Sequence, residues 1–370
     1  MSKSNKIVSN WLLLGVVLVF FQVVIGGVTR LTDSGLSITE WSVIQGTLPP
    51  LNAADWDIAF EKYKVHASKQ FESLHAEMTM SEFKVIFFWE YFHRLWARMM
   101  GFVFLFPFLY FISRKMLPKR IIRRLGVVIL LAMAAATFGW IMVKSGLNDD
   151  QRTWVSAYKL IIHLGIATTL IAYLYKTYLI SKTSGHEGRN SDALDESLSS
   201  PQPVVNLNRI SSLRFGRIVL VVLFIQILFG GLMAGMRAGL LHPHFPMFVN
   251  YERLQLAFAS ASAGFGSELV DYEPSSYIKA YIQVFHRSLA YGLVILSIWF
   301  SVYLYKRNLF DGRAKLFLGI LGIQFLLGVL TVINCLGSVP IFYGAAHQAV
   351  ALILLLSLLR INHFLHLLRG

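Results

Sequence analysis

The chain is built from long apolar runs separated by short polar stretches. Runs long enough to cross a bilayer, about 20 residues each, fall at roughly 11–29, 84–113, 122–143, 154–180, 213–236, 277–305, 315–335 and 341–362. The pattern predicts an all-α polytopic membrane protein with eight spans. No small-residue cleavage site follows the first run, which continues directly into "GGVTRLTDSG". It therefore reads as a retained helix and not as a signal peptide. Residues 183–208, "TSGHEGRNSDALDESLSSPQPVVNLN", are polar and rich in Ser, Asp and Pro, as a flexible cytoplasmic linker would be. They divide the chain into two four-span halves, 1–182 and 209–370.

Composition agrees with this class. Hydrophobic residues make up 55% and charged residues 15%, against roughly 25% charged in soluble domains. The net charge of +14 does not point to nucleic acid, because its distribution follows membrane topology. Lys3 and Lys6 precede the first run, "RKMLPKRIIRR" joins the second and third, and Lys306, Arg307, Arg313 and Lys315 lie between the sixth and seventh. These loops are assigned to the cytoplasm. Segments 30–83 and 237–276 mix acids with bases and are assigned outside, so both termini are expected to be cytoplasmic. Cys335 is the sole cysteine, which excludes an intramolecular disulfide and a Cys-based metal or iron–sulfur site.

The halves resemble one another. "GGVTRLTDSGL" (Gly26–Leu36) and "GGLMAGMRAGL" (Gly230–Leu240) occupy the outer end of the first span of each half, and "FHR" recurs in the second span at Phe92–Arg94 and Phe285–Arg287. The fourth span of each half carries one histidine, His163 in "YKLIIHLGIA" and His347 in "YGAAHQAVAL". Matches in this order imply an internal repeat, and an even number of spans per copy implies parallel topology about an axis along the membrane normal.

Of eleven histidines, His93, His163, His286 and His347 are those at repeat-matched positions near the membrane core. A single membrane histidine ordinarily makes an interhelical hydrogen bond. Two per half, on neighbouring helices of a four-helix bundle, are instead how bis-histidine haem is held, and they imply two haem sites. Zinc or copper is the competing reading, although two histidines without a third ligand make a poor metal site. His66, His75, His242, His244, His186, His363 and His366 lie in loops, in the linker or at a span end, and none is assigned as a ligand. Glu90 stands three residues before His93, where the other half has Gln283 before His286. Positions i and i+3 share a helix face, so Glu90 is expected to point toward whatever His93 binds. An ion pair with Arg94, Arg98 or Arg30 is the alternative. The asymmetry suggests one site that does chemistry and one that carries electrons.

"GGVTRLTDSGLSITEW", "EYFHR", "MVKSGL", "YKLIIHLGIA", "FHRSLAY" and "HQAVALILL" together closely resemble haem A synthase, over almost the whole chain apart from the linker and the first few residues. The long first outer loop is most like the subgroup that includes the mitochondrial enzymes. The cysteine pair of some bacterial members is absent. The resemblance implies two pseudo-twofold-related four-helix bundles and a haem-dependent membrane oxidoreductase. Such an enzyme oxidises the C8 methyl of haem o to the formyl of haem a by successive hydroxylations that use molecular oxygen. Carried over by position, it implies His286 and His347 as ligands of a bound haem b, His93 and His163 flanking the substrate haem, and Glu90 as the catalytic acid. It also implies an electron donor, with haem o synthase, cytochrome oxidase assembly factors and a second copy of the chain as candidate partners. Arg30 is placed to meet a haem propionate, or else to anchor the interface. Without an Arg-rich transit peptide, the expected address is a bacterial plasma membrane. Two other classes stay open: a bis-histidine cytochrome that moves electrons without modifying haem, and a transporter, suggested only by the parallel repeat.

Overall fold

The computed structural model describes residues 3–40, 48–147, 153–194, 203–246, 255, 259 and 265–368. Its helices are α1 (Lys3–Leu31), α2 (Ala53–His66), α3 (Ser68–Leu74), α4 (Met80–Ser113), α5 (Lys119–Lys144), α6 (Ala157–Leu194), α7 (Pro203–Gly235), α8 (Phe265–Val270), α9 (Ser276–Tyr305), α10 (Gly312–Ile333) and α11 (Ile341–Leu367), with one turn of 3-10 helix at Ala238–Leu240. Eight of them, α1, α4 to α7 and α9 to α11, are long and apolar enough to cross a membrane. Polar residues at the junctions of apolar runs set several of the starts. Thr79 and Glu82 form a capping box at α4, the Ser275 hydroxyl accepts from Ile278 N at 3.1 Å at α9, and the Asp311 carboxylate accepts from Arg313 N at 2.8 Å at α10. Each satisfies backbone donors that a helix start leaves unpaired.

In the N-terminal half, α1 packs against α4 and α6, and α6 packs against α5. In the C-terminal half, α7 packs against α9 and α11, and α11 against α10. The halves meet where α6 lies on α7 and α11, and α1 on α11. First and fourth spans are therefore central, and second and third spans flank them. Each half has its own apolar core, with Leu12, Leu125, Ile171 and Leu174 fully buried in one and Val219, Phe300, Phe317 and Leu358 in the other. Outward-facing Phe106, Leu130, Met133, Ile295 and Trp299 are exposed, an apolar perimeter suited to lipid and not to water. The chain is a multi-pass membrane protein. Around the expected linker the helices run further than the polar composition suggested, since α6 continues to Leu194 and α7 begins at Pro203. Residues 195–202 lie outside the described residues.

The first outer segment is not an open loop. Phe60 and Tyr63 of α2 pack with Leu36, Phe83, Phe87 and Val155, which closes this end over α1 and α4. The Tyr63 hydroxyl lies 2.6 Å from His75 Nδ1, and Gln70 Nε2 donates to the Asp33 carbonyl at 3.1 Å. Burial holds the His75 imidazole below its ordinary value; Asp33 and Glu82 raise it and Arg237 lowers it, without reversing the shift. A lowered folded-state value means that the unfolded segment binds the proton more readily, so stability is complete above the ordinary histidine pKa and falls as pH drops through it toward the folded value. Amide protection over 53–75, after correction for the intrinsic slowing of exchange in acid, should therefore fall on acidification below about pH 6.5, and His75→Gln should flatten that dependence. An equally steep profile in the variant would assign it elsewhere.

Candidate functional site

All four repeat-matched histidines are half-buried, and each packs its ring against a glycine of a neighbouring helix. A Cβ built on Gly26 would lie 3.0 Å from His93 Nε2, one on Gly230 3.4 Å from His286 Cε1, one on Gly139 3.1 Å from His163 Cε1, and one on Gly328 2.9 Å from His347 Cε1. Second-span histidines thus lie on first spans and fourth-span histidines on third spans, in both halves. His93 is within electrostatic reach of His163, and His286 of His347, so each half brings its two histidines together.

His163 Nδ1 is 2.9 Å from the Ala135 carbonyl and His347 Nδ1 is 3.2 Å from the Gln324 carbonyl. A ring that gives its Nδ1 proton to a backbone carbonyl keeps Nε2 as a lone-pair donor, which is how metal-bound imidazoles are oriented. Glutamine amides face three of the four rings, and Gln324 Nε2 lies 3.2 Å and 3.3 Å from the two ring nitrogens of His347. Gln22 Nε2 lies 2.8 Å from His93 Nε2 and 3.3 Å from the His93 carbonyl. Gln226 Nε2 lies 3.2 Å and 3.3 Å from the two ring nitrogens of His286 and 3.1 Å from its carbonyl. Oε1 of Gln22, Gln226 and Gln324 is buried without a partner. Among the described residues no group of three or more His, Cys, Asp or Glu could hold a bare metal ion. Two imidazoles per half, each packed on a glycine, supply the two ligands that a haem iron takes from the protein.

The second glycine of each "GG" has a different partner. A Cβ on Gly27 would come within 1.9 Å of Gln348 Oε1, and one on Gly231 within 2.9 Å of Leu164 Cδ2. Gln348 and Leu164 each follow a fourth-span histidine, and each belongs to the opposite half. Gln348 Nε2 also donates to the Val23 carbonyl at 3.0 Å, so this contact ties α11 to α1. Gly27→Ala should expel the Gln348 amide, break that bond and cost about 1–3 kcal/mol, read as a lower thermal midpoint in detergent. Gly101→Ala, with open space around it, should be neutral or stabilising; equal midpoints for the two variants would contradict the packing.

Glu90 is buried, 3% exposed, and its carboxylate is fully engaged. Arg94 Nη2 donates to Oε1 at 2.5 Å, while Ser37 Oγ and Ile38 N donate to Oε2 at 2.8 Å and 2.9 Å. Arg94 continues to the Ile38 and Glu40 carbonyls at 3.0 Å and 3.3 Å. The carboxylate thus turns to the loop after α1, and the ion pair with Arg94 is present. Its counterpart Gln283 donates from Nε2 to the His242 carbonyl at 2.8 Å, and Arg287 to the Pro246 carbonyl at 3.0 Å. In the register that aligns Gly26 with Gly230, Ile38 aligns with His242. One half therefore fixes its loop with an acceptor and the other with a donor at the same position.

Arg30 lies on the seam between the halves. Its Nη1 pairs with Asp33 Oδ1 at 3.2 Å, and its Nη2 donates to the Gly235 carbonyl at 2.9 Å. Arg237 Nη2 pairs with the same Asp33 oxygen at 2.5 Å and stacks its guanidinium 4.4 Å above the Trp154 ring. Asp33 and Arg237 are themselves repeat-matched, and both take left-handed backbone, φ 54° and 52°, just past the ends of α1 and α7. Arg30 Nε and Trp154 Nε1 are left buried without a partner.

Residues 9–359 match the model of the COX15-CtaA family, described as a cytochrome oxidase assembly protein. The chain belongs to this family. Curated relatives named "Heme A synthase" include proteins of Flavobacterium johnsoniae, 39% identical with 96% of each chain covered, Nitrosospira multiformis, 37% identical over 97% of this chain and 93% of the relative, and Bradyrhizobium diazoefficiens, 35% identical over 96% and 90%.

Sequence reasoning did not single out Gln22, Gln226, Gln324, Ser37, Gly139 or Gly328. A signal for the first two was present, since "FFQVVIGG" and "FIQILFGG" extend the repeat upstream of the glycine pair. Of the histidines left unassigned, His75 bonds Tyr63 and His242 is buried with its carbonyl on Gln283, both structural roles. Cys335 is buried, its thiol donates to the Thr331 carbonyl at 3.2 Å, and burial pushes it up to about 11, so it is no thiolate at neutral pH.

Proposed function

We propose that the chain acts as a haem A synthase, oxidising a methyl group of haem o to the formyl group of haem a with molecular oxygen as co-substrate and electrons from a separate donor. Membership of the COX15-CtaA family over nearly the whole chain and the name shared by its relatives support this reading. The observation that carries it is the pair of two-histidine clefts, alike in construction and different at Glu90 and Gln283. His286 and His347 would hold haem b as a resident group, and His93 and His163 would flank haem o as substrate. Bound haem b supplies single electrons and stores them between turnovers.

The chain's own residues do the rest. His163 presents Nε2 because its Nδ1 lies on the Ala135 carbonyl, and the His347 ring is held at the Gln324 carbonyl and amide. The glycines at 26, 139, 230 and 328 let each ring lie close to the adjoining helix. Glu90, held by three donors, serves as a fixed negative charge and not as a mobile proton carrier. A fixed carboxylate in a low-dielectric site favours positive charge developing at the substrate methyl carbon. Arg94 balances that charge in the resting enzyme. Arg30, with Nε unpartnered, offers one remaining donor to a propionate at the outer end. With the basic loops facing the cytoplasm, the enzyme would lie in a bacterial plasma membrane with both termini inside.

The test is the pigment of purified protein expressed with a haem o supply. Haem a or a hydroxylated haem o bound to the preparation, in amounts that depend on oxygen, supports the proposal. Two equivalents of unmodified haem b, unchanged by oxygen, would favour the electron-transfer cytochrome instead.

A further inference from the structure

At the end of the bundle assigned to the cytoplasm, basic side chains of both halves meet on the seam. Arg124 of α5 and Lys176 of α6 come from one half, Arg217 of α7 and Arg360 and His363 of α11 from the other. Lys176 is within electrostatic reach of Arg124, Arg217 and His363, and Arg360 reaches the neighbouring Tyr175. Lys176, Arg217 and Arg360 are exposed, while Arg124 and His363 are half-buried. Arg124 is fixed in place, since its Nε donates to Thr177 Oγ1 at 2.9 Å and its guanidinium stacks 4.3 Å from the centre of the Tyr173 ring. Its Nη2 is nevertheless buried without a partner, as are both ring nitrogens of His363. The cluster is remote from the histidine sites, with Lys176 about 20 Å along α6 from His163.

Nothing in these helices balances the charge. Helices α5, α7 and α11 contain no Asp or Glu, and neither does α6 before Glu187, which lies about 16 Å beyond Lys176 along the helix. The other half shows what is missing. In the register that aligns Gly139 with Gly328, Arg124 corresponds to Arg313. Arg313 likewise stacks on an aromatic ring, that of Phe364, but its Nε donates to the Asp311 carboxylate at 2.7 Å. The position matching Asp311 is Ile122. One third-span arginine thus carries its own counter-ion, and the other lies among further cations from both halves. Cations gathered in a partly dehydrated site repel one another, and keeping them together calls for an anion. A phosphate suits this set, because guanidinium forms paired hydrogen bonds with it and Lys and protonated His add single ones. Depth selects its source. All of these cations stand in the final turns of bilayer-spanning helices, at the level of headgroups, where basic pockets between spans bind anionic lipids.

We propose that this end of the seam binds the phosphate of an anionic lipid, held by Arg124 and Lys176 of one half and by Arg217 and His363 of the other. The lipid joins the halves where their own charges repel. One substitution then has opposite effects in two media, since Lys176→Gln removes a repulsion from the lipid-free protein and a ligand from the lipid-bound one. The experiment is the thermal midpoint of the full-length protein, delipidated in a neutral detergent, before and after phosphatidylglycerol is added. Phosphatidylcholine and inorganic phosphate are added separately as controls. Phosphatidylglycerol is expected to raise the parent's midpoint by several degrees, and the two controls to leave it unchanged. Lys176→Gln should equal or exceed the parent without lipid and lose most of the rise with it, and Arg217→Gln, on the other half, should do the same. Lys306→Gln, at an exposed position between α9 and α10, should keep the full rise. If Lys176→Gln does not accumulate, Arg217→Gln decides alone. No rise in the parent, a rise that the seam variants retain in full, or seam variants less stable than the parent before lipid is added would each overturn the proposal. A rise produced equally by inorganic phosphate would overturn the lipid as the source of the anion.

Discussion

His286→Ala and His347→Ala are each expected to give folded protein that has lost most of its haem b and all production of haem a. Neither ring is a core element. Each lies half-buried against a glycine, while α7, α9, α10 and α11 are held by a separate apolar cluster that includes Val219, Phe300, Phe317 and Leu358. Truncation therefore removes a proposed ligand with little loss of packing, and eight helices should still assemble. Removing one of two axial ligands should leave haem b weakly held and open to external ligands such as carbon monoxide. The check is the haem-to-protein ratio with the reduced-minus-oxidised spectrum. Full haem b in both variants, with activity retained, would exclude these histidines as its ligands. His93→Ala and His163→Ala should instead spare haem b and remove the substrate signal, which separates the two clefts.

Glu90→Gln should fold, keep haem b, bind haem o and slow its oxidation by on the order of 10²- to 10⁴-fold. The other half already holds the corresponding arrangement, with Gln283 one turn before Arg287, so the side chain fits. A structural cost is also expected. Glu90 accepts on both oxygens, from Arg94 on one side and from Ser37 and Ile38 on the other. An amide can satisfy only one side and turns its NH2 toward donors on the other, at about 1–3 kcal/mol. Activity and stability must therefore be measured together. Loss of activity with a modest fall in thermal midpoint supports a charge that acts on the substrate. Near-parental activity with the same fall would reduce Glu90 to the support of the loop after α1. Gln283→Glu should not create a second oxidising site and should be destabilised, since a carboxylate there would face the His242 carbonyl that Gln283 now bonds.

The eight spans and the four histidines were legible because apolar runs of bilayer length and repeated motifs are long-range patterns that no local context can disguise. The Glu90 and Arg94 pair was legible as a one-turn neighbour. Its other two partners were not, because Ser37 and Ile38 lie on a loop whose return to α4 no periodicity encodes. The glutamines were missed for a related reason. A glutamine in an apolar span ordinarily bridges helices, and nothing in a single copy separates Gln22 from that background. Helices α2 and α3 were hidden inside a polar outer segment, since their buried face consists of few residues, Phe60, Tyr63 and Gln70, too few to outweigh the surrounding charge.

Asp33 and Arg237 hold the same place in the two halves and pair with each other across the seam. If two N-terminal halves from different chains met along this surface, Asp33 would face Asp33. If two C-terminal halves met, Arg237 would face Arg237. Only the mixed pairing gives Asp33 a base from the other half beside its own Arg30, and like charges juxtaposed at an interface cost several kcal/mol. During insertion into the membrane α1 to α6 emerge before α7 to α11, so nascent N-terminal halves of neighbouring chains can meet before their own partners exist. In such an encounter Asp33 would keep Arg30 and lack Arg237, so the chain's own C-terminal half offers it the fuller set of charge partners.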